Sequence, residues 1–206
     1  YLAERGIPLS LHLDLGKDIP KDRPTHLPEP PAEHTEYLDL LTYILKSYPK
    51  NKIIWQHIGL SRELTKMNPA QHVSILKDLF DNYDNFYADL SWSVLYDEYF
   101  KHEEIRKVYV DFINSDDGNK VYYDRFITGT DFVASEDKCV EDSVFSEEQC
   151  FYRYMKELKK TSYINCFLTD DAFRAIVLGD NYYKLLGVET TVPDILPGYD
   201  LSLIHI

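Results

Sequence analysis

The chain has 206 residues, with 22 basic and 35 acidic side chains and a formal net charge of −13. This length can bury one sizeable core, and 44% hydrophobic residues is the composition of a globular domain rather than of a disordered chain. The acidic excess argues against nucleic acid and anionic membrane as partners, because both attract basic surfaces. No apolar run approaches the length of a membrane span.

The three cysteines, Cys139, Cys150 and Cys166, are an odd number and have no CxxC spacing. This is not the pattern of a disulfide framework or of a structural zinc site, so we expect the three cysteines to be buried or inert. The absence of a cysteine framework favours the cytoplasm. The chain starts at Tyr1 rather than at Met, so the absence of a signal peptide does not decide the compartment.

Short apolar runs alternate along the chain with longer stretches in which apolar residues recur at helical spacing. In chain order, this pattern predicts a strand at 7–14, a helix at 33–48, a strand at 53–59, a helix at 69–82, a strand at 86–92, a helical region at 94–114, a strand at 125–132, and helices at 147–160 and 170–186. A Pro-rich stretch at 17–31 is expected to be a long loop.

Apolar strands joined by helix-length connections predict a parallel sheet covered by helices. Two architectures fit, an open doubly wound sheet and part of a (β/α)8 barrel. The chain has no GxGxxG and no GxxxxGK[ST] phosphate turn, which an open sheet commonly carries. Each strand instead has a polar or ionisable residue near its C-terminal end, where barrel enzymes place their chemistry, and this favours the barrel.

The four residues at these strand ends are His12, His57, Asp89 and Asp131. Imidazole and carboxylate are ligands that suit zinc and similar divalent ions. A catalytic metal site needs three protein ligands, an open position for water and a base, and His12, His57 and Asp131 could supply part of that set. The alternative is that each histidine is a hydrogen-bonded residue beneath the barrel rim, and spacing alone leaves both interpretations open.

Several segments resemble the amidohydrolase superfamily, in its amidohydrolase-related branch of metal-dependent TIM-barrel enzymes. The segment at 53–63, IIWQHIGLSRE, resembles a strand and the loop that follows it in that branch. Further resemblances lie in FYADLSW at 86–92, RFITGTD at 125–131, GDNYYKLLG at 179–187, and the opening ERGIPL at 4–9 with His12. These matches run in order over residues 1 to about 190, and they imply an α/β fold that comprises the C-terminal half of a (β/α)8 barrel, strands five to eight with their helices.

The resemblance also implies a role for each residue. His12 matches a metal ligand on the fifth strand, and His57 matches a histidine on the sixth that ligates a second metal or contacts substrate. Asp131 matches an aspartate on the eighth strand that binds metal and transfers the proton of the attacking water. Asp89, on the seventh strand, is expected to orient a ligand or to be structural. Arg62 could clamp a substrate carboxylate, although a solvated loop charge is the alternative.

The chain also departs from the family. It contains no HxH pair, which the family carries on its first strand, so we expect a fragment that lacks the first half of the barrel and the ligands there. We expect residues 1–198 to be the partial barrel domain. The tail at 199–206 includes LSLIHI, which CTG TCT CTT ATA CAC ATC encodes. That string resembles a transposon-end adaptor used in sequencing libraries, and a natural apolar tail that docks on the barrel is the alternative.

Three functions follow from the resemblance. The first is a metal-dependent hydrolase in its full-length form, with the fragment itself expected to be inactive, that uses metal-activated water on an amide, ester or lactone, with one or two divalent ions, zinc first among them. The second is a metal-dependent decarboxylase of the same superfamily, and the third is an inactive half-barrel. A small-molecule substrate is the expected partner, and an exposed sheet edge would favour homo-oligomers.

Overall fold

The computed structural model describes residues 1–15, 36–60, 68–116, 120–135, 139–141 and 144–188. Contacts within the chain divide it into two compact units, Tyr1–Asp89 and the residues from Leu90 onward. The predicted tail at 199–206, the loop at 17–31 and Arg62 lie outside the described residues.

The first unit alternates strands and helices. Strands β1 (Leu9–Leu11), β2 (Ile53–Trp55) and β3 (Phe86–Asp89) pair in parallel, with Leu9 opposite Ile53 and Ile53 opposite Phe86. Helix α1 (Glu36–Ser47) lies between β1 and β2 in the chain, and helix α2 (Pro69–Asn82) lies between β2 and β3. Helical crossovers of this kind are how parallel neighbours are connected.

Helix α2 has the bounds that the sequence predicts, because its first turn is determined locally. The Asn68 side chain accepts a hydrogen bond of 2.9 Å from the Ala70 N–H, and Pro69 occupies the first helical position, where its missing N–H costs nothing. The apolar face of the helix is buried through Leu76, Leu79 and Phe80.

The core of the first unit is centred on β2, in which all three residues are buried. Burial of a strand on both faces is typical of a parallel sheet covered by helices. The fully buried apolar side chains around β2 come from α1, α2 and β3: Leu41, Leu45, Leu76 and Phe86. Asn85, directly before β3, connects the start of this strand to the end of α1 and the residues after it. Its amide group donates to the carbonyls of Leu45, Tyr48 and Asn51 at 3.0–3.2 Å.

The second unit begins with a helical region that is broken, although the sequence predicts one continuous helical stretch at 94–114. A short helix, α3 (Ser93–Leu95), continues into a wider helical turn at Tyr96–Phe100. Helix α4 (Glu103–Ile113) then starts afresh, because His102 before it has extended backbone angles. Strand β4 (Phe126–Ile127) follows and is much shorter than the predicted strand at 125–132.

The rest of the second unit is mainly helical. Helices α5 (Glu147–Thr161), α6 (Asp170–Ile176) and α7 (Asp180–Leu186) lie close to the predicted helices, but the predicted helix at 170–186 is two helices. Gly179 separates them with a φ of 95°, which continues no right-handed helix. Two short strands form a hairpin that the sequence does not predict, β5 (Val140–Glu141) and β6 (Val144–Phe145).

A disulfide joins Cys139, beside this hairpin, to Cys150 in the first turn of α5. The odd number of cysteines does not predict this pairing, whereas the expected burial is confirmed for Cys139, which is fully buried. The hairpin and the helix bring together two thiols that are eleven positions apart in sequence. The expected preference for the cytoplasm loses its basis, because it depended on the lack of paired cysteines.

Within the first unit, the three parallel strands follow one another in the sheet in the order β1-β2-β3. The predicted α/β class, with helices between successive strands, is thus confirmed. An order that follows the chain without reversal is the order of strands in a (β/α)8 barrel, whereas a doubly wound sheet reverses at its switch point. The assignment of these strands to the second half of a barrel, in a fragment, stays a prediction. Among the described residues, no helix combines the length and apolar character needed to cross a membrane.

Candidate functional site

Three of the predicted site residues meet at one edge of the first unit. His12 follows β1, His57 follows β2, and Asp89 is the last residue of β3. The three strands are parallel, so their carboxyl ends lie at the same edge of the sheet. The rings of His12 and His57 are in contact, with centroids 4.9 Å apart and planes at 81°.

His57 is the buried member of this cluster. Its side chain is 2% exposed, and its Nδ1 lies 3.7 Å from Oδ2 of Asp89, whose side chain is 10% exposed. The distance exceeds that of a hydrogen bond, but the low local dielectric makes the attraction between the carboxylate and the imidazole stronger than it would be in water. Asp89 therefore favours the ring orientation in which Nδ1 faces the carboxylate.

His12 is the exposed member. Its side chain is 51% exposed, and its Nε2 lies 3.0 Å from Oδ1 of Asp14. Asp14 is not among the residues that the sequence predicts for the site. The signal that could have found it is its position two residues after His12, which is in reach of the imidazole in an extended segment.

The backbone is unusual immediately after β2. His57 and Ile58 have φ values of 55° and 49°, and Gly59 follows with 68°, so three consecutive residues are left-handed. A non-glycine residue in this region costs on the order of 1–2 kcal/mol, and for β-branched Ile58 the conformation is a genuine outlier. Such strain persists only where the surroundings impose it, and it is concentrated at functional sites.

Two more strained residues follow strands. Of the non-glycine residues that the structure describes, four have a positive φ, and the two besides His57 and Ile58 are Trp92 (82°) after β3 and Asp131 (53°) after β4. All four thus lie at the carboxyl end of a strand, which is where a barrel enzyme has its site. Trp92 is not predicted as a site residue, because no local pattern distinguishes a strained tryptophan from a core residue.

Several non-local contacts hold the left-handed turn. The Trp55 indole N–H donates to the carbonyl of Leu13 at 2.7 Å, and the Leu15 N–H donates to the carbonyl of Gly59 at 2.8 Å. These two bonds connect the segment that contains His12 to the segment that contains His57. Within the turn, the Leu60 N–H donates to the His57 carbonyl at 2.9 Å.

Asp131 belongs to the second unit, where it is exposed and has left-handed backbone. Beside it, the Phe132 N–H donates to the Thr130 hydroxyl oxygen at 3.2 Å. Its approach to the histidines of the first unit, and its roles in metal binding and proton transfer, stay predictions, as does the clamp by Arg62.

The donor types in the first unit fit zinc, since two imidazoles are in contact and a carboxylate faces one of them. Within the part of the chain that the structure describes, no group of three or more His, Cys, Asp or Glu side chains is arranged to hold a metal ion. A catalytic zinc takes three protein ligands, so His12 and His57 fit as part of a set.

Comparison with known proteins finds one similar solved structure. No protein-family model matches the chain, and no curated protein matches it significantly. A solved structure of a dihydroorotase from Campylobacter jejuni is similar with a TM-score of 0.46 and 19% sequence identity. The match covers 92% of this chain and 50% of that one, so the chain spans about half the length of the dihydroorotase. Similarity at this level assigns no family, and the case for a function depends on the side chains themselves.

Proposed function

We propose that the chain is part of a metal-dependent hydrolase of the amidohydrolase type, which cleaves a small amide, ester or lactone with water. The observation that supports this most directly is the contact between the His12 and His57 rings at the carboxyl ends of two neighbouring parallel strands. Two imidazoles at this edge of a helix-covered parallel sheet are a donor set for a divalent ion, zinc first among them.

Each residue of the first unit has a distinct part in this proposal. Asp89 faces Nδ1 of His57, and a proton on Nδ1 places the lone pair on Nε2, as in the carboxylate–histidine pairs of zinc sites. His12 supplies the second imidazole, and Asp14 competes for its Nε2 as long as no cation is bound. A zinc ion held there would lower the pKa of a water and polarise the substrate carbonyl.

Two further residues have roles in the proposed reaction. In this proposal Asp131 accepts a proton from the attacking water and returns it to the leaving group, for which an exposed carboxylate with access to substrate is suited. Arg62 would hold a substrate carboxylate through two parallel hydrogen bonds.

Metal binding tests the proposal on the purified 206-residue chain. We expect Co²⁺, followed by its visible absorption, to bind, and we expect His12→Ala and His57→Ala each to weaken binding at least about tenfold. Asp89→Asn should weaken it by about 10-fold to 100-fold, because it removes the charge that orients His57. His102→Ala is the matched control, since His102 is an exposed histidine in the second unit and should have no effect.

Failure of wild-type chain to bind Co²⁺ or Zn²⁺ at millimolar concentration would contradict the proposal, as would equal affinities in the His12, His57 and His102 variants. Activity is measured separately, by proton release from small lactones, esters and cyclic amides, on a longer protein that contains this chain together with the remaining barrel strands. We expect Asp131→Asn to abolish turnover and to retain part of the metal. Release of carbon dioxide from a carboxylated substrate, without hydrolysis, would identify a decarboxylase instead.

A further inference from the structure

The left-handed turn at 57–59 receives one further contact, from a buried side chain outside the predicted site. His72 lies on the first half of α2, fully buried, and its Nε2 is 2.9 Å from the carbonyl oxygen of Ile58. A carbonyl oxygen only accepts, so Nε2 carries the hydrogen and donates it. The bond joins residues 14 positions apart.

The surroundings of His72 keep this donor uncharged. Burial lowers the pKa of His72 from its usual 6.5 to about 4, and the hydrogen bond to Ile58 opposes that shift only in part. The Trp55 ring, which also covers Gly59, has its centroid 6.4 Å from that of His72. An apolar side chain would fill this space without the cost of burying an imidazole, but it would leave the Ile58 carbonyl without this donor.

The direction of the Ile58 carbonyl depends on the left-handed backbone angles of the turn. The carbonyl is flanked by the left-handed residues Ile58 and Gly59, and rotation of either residue toward right-handed angles would redirect the oxygen away from α2. The hydrogen bond to His72 is satisfied only in the left-handed geometry. The neighbouring residue in that geometry is His57, whose ring then contacts His12 and faces Asp89.

We infer that His72 is a positioning residue, which fixes the left-handed turn through the Ile58 carbonyl and thereby sets the orientation of the His57 imidazole. The inference rests on the proposed function only where it treats His57 as a metal ligand. The control of turn geometry by His72 does not depend on the proposed function and is tested separately.

Two variants of matched size test the inference. Gln at position 72 retains an N–H donor on a side chain of similar reach, whereas Met has nearly the same length and donates nothing. We expect His72→Met to reduce hydrogen-exchange protection of the Leu15 and Leu60 amides at least tenfold more than that of Ile53, whose N–H bonds to Asn85 across the strand edge. The imidazole NMR signals of His57 should shift in His72→Met and stay near their wild-type positions in His72→Gln.

The inference is overturned if His72→Met keeps wild-type protection and His57 signals, or if Leu15, Leu60 and Ile53 lose protection equally, which would mean a loss of global stability alone. A measurement on the wild-type chain covers the case in which His72→Met fails to fold. The ¹⁵N signals of His72 should show hydrogen on Nε2 at pH 7, and hydrogen on Nδ1 alone would refute the contact.

Metal affinity separates this inference from the proposed function. If the wild-type chain binds Co²⁺, we expect His72→Met to weaken binding at least tenfold and His72→Gln to restore it within about threefold. If His72→Met weakens Co²⁺ binding no more than His72→Gln does, His72 does not position the ligand. A wild-type chain that binds no Co²⁺ refutes the proposed function, and the exchange and NMR results then decide the turn alone.

Discussion

Gly59 is a residue that no other amino acid replaces without strain, for two separate reasons. Its φ of 68° is left-handed, and a Cβ atom built on it would overlap the six-membered ring of Trp55. The indole cannot move aside easily, because its N–H is bonded to Leu13 and the side chain is fully buried. The close approach of this ring to bare backbone thus depends on glycine.

We predict that Gly59→Ala lowers the free energy of unfolding by about 2–4 kcal/mol, from about 1 kcal/mol for the left-handed backbone and about 1–3 kcal/mol for overlap with Trp55. Gly6→Ala is the matched control. Gly6 has nearly the same φ, 64°, but a Cβ there meets nothing within 4 Å, so its cost should be about 1 kcal/mol. Urea unfolding measures both, and equal losses would contradict the role given to Trp55.

The lowered pKa of His72 leads to a second prediction at the residue scale, for the dependence of stability on pH. Its folded pKa of about 4 lies below the unfolded value of 6.5, so the unfolded chain binds more protons between these pH values and stability rises with pH there. From pH 7 to pH 4, the contribution of His72 to the free energy of unfolding should fall by about 3 kcal/mol.

His72→Gln removes this titration and keeps a donor, so the wild type and the variant should differ in the slope of unfolding free energy against pH between 4 and 6.5. Urea titrations at several pH values measure it. Identical slopes would show that His72 is not held uncharged by burial.

At the scale of elements, the disulfide constrains the start of α5. It ties Cys150 to Cys139, which is fully buried beside the β5–β6 hairpin. Closing a loop of this length removes conformational freedom from the unfolded chain, which corresponds to about 2–3 kcal/mol in the chain-entropy description.

We predict that Cys150→Ala lowers the free energy of unfolding by about 2–3 kcal/mol under oxidising conditions and has no effect once the wild type is reduced. Cys166→Ala is the control, because Cys166 is exposed and outside the disulfide, and it should change stability by less than about 0.5 kcal/mol. A wild-type chain whose stability is insensitive to reductant would contradict the prediction.

The helices and strands also show where local sequence signals are enough to predict the bounds of an element. Helix α2 was predicted at its observed bounds because Asn68 and Pro69 specify its start. The breaks at His102 and Gly179 were missed, because apolar spacing continues across both. The β5–β6 hairpin was missed because its strands have two residues each, too few for an alternating pattern.

At the scale of the whole molecule, the net charge of −13 sets the expected interactions. We predict no binding of duplex DNA or of vesicles with anionic headgroups at micromolar protein and physiological salt, because both carry negative charge. Fluorescence anisotropy and vesicle co-sedimentation measure this, with zwitterionic vesicles as the control. Micromolar, salt-sensitive binding to either anionic partner would contradict the prediction.

The sequence by itself determined the order of strands and helices and the placement of His12, His57 and Asp89 at strand ends, because apolar periodicity and capping act over three or four neighbouring residues. Only the tertiary structure decided that the two imidazoles touch, that the turn after β2 is left-handed, and that His72 bonds to Ile58. The physical reason is distance along the chain. The Trp55–Leu13 and His72–Ile58 bonds join residues 42 and 14 positions apart, and each forms only when the packed core brings its two partners together.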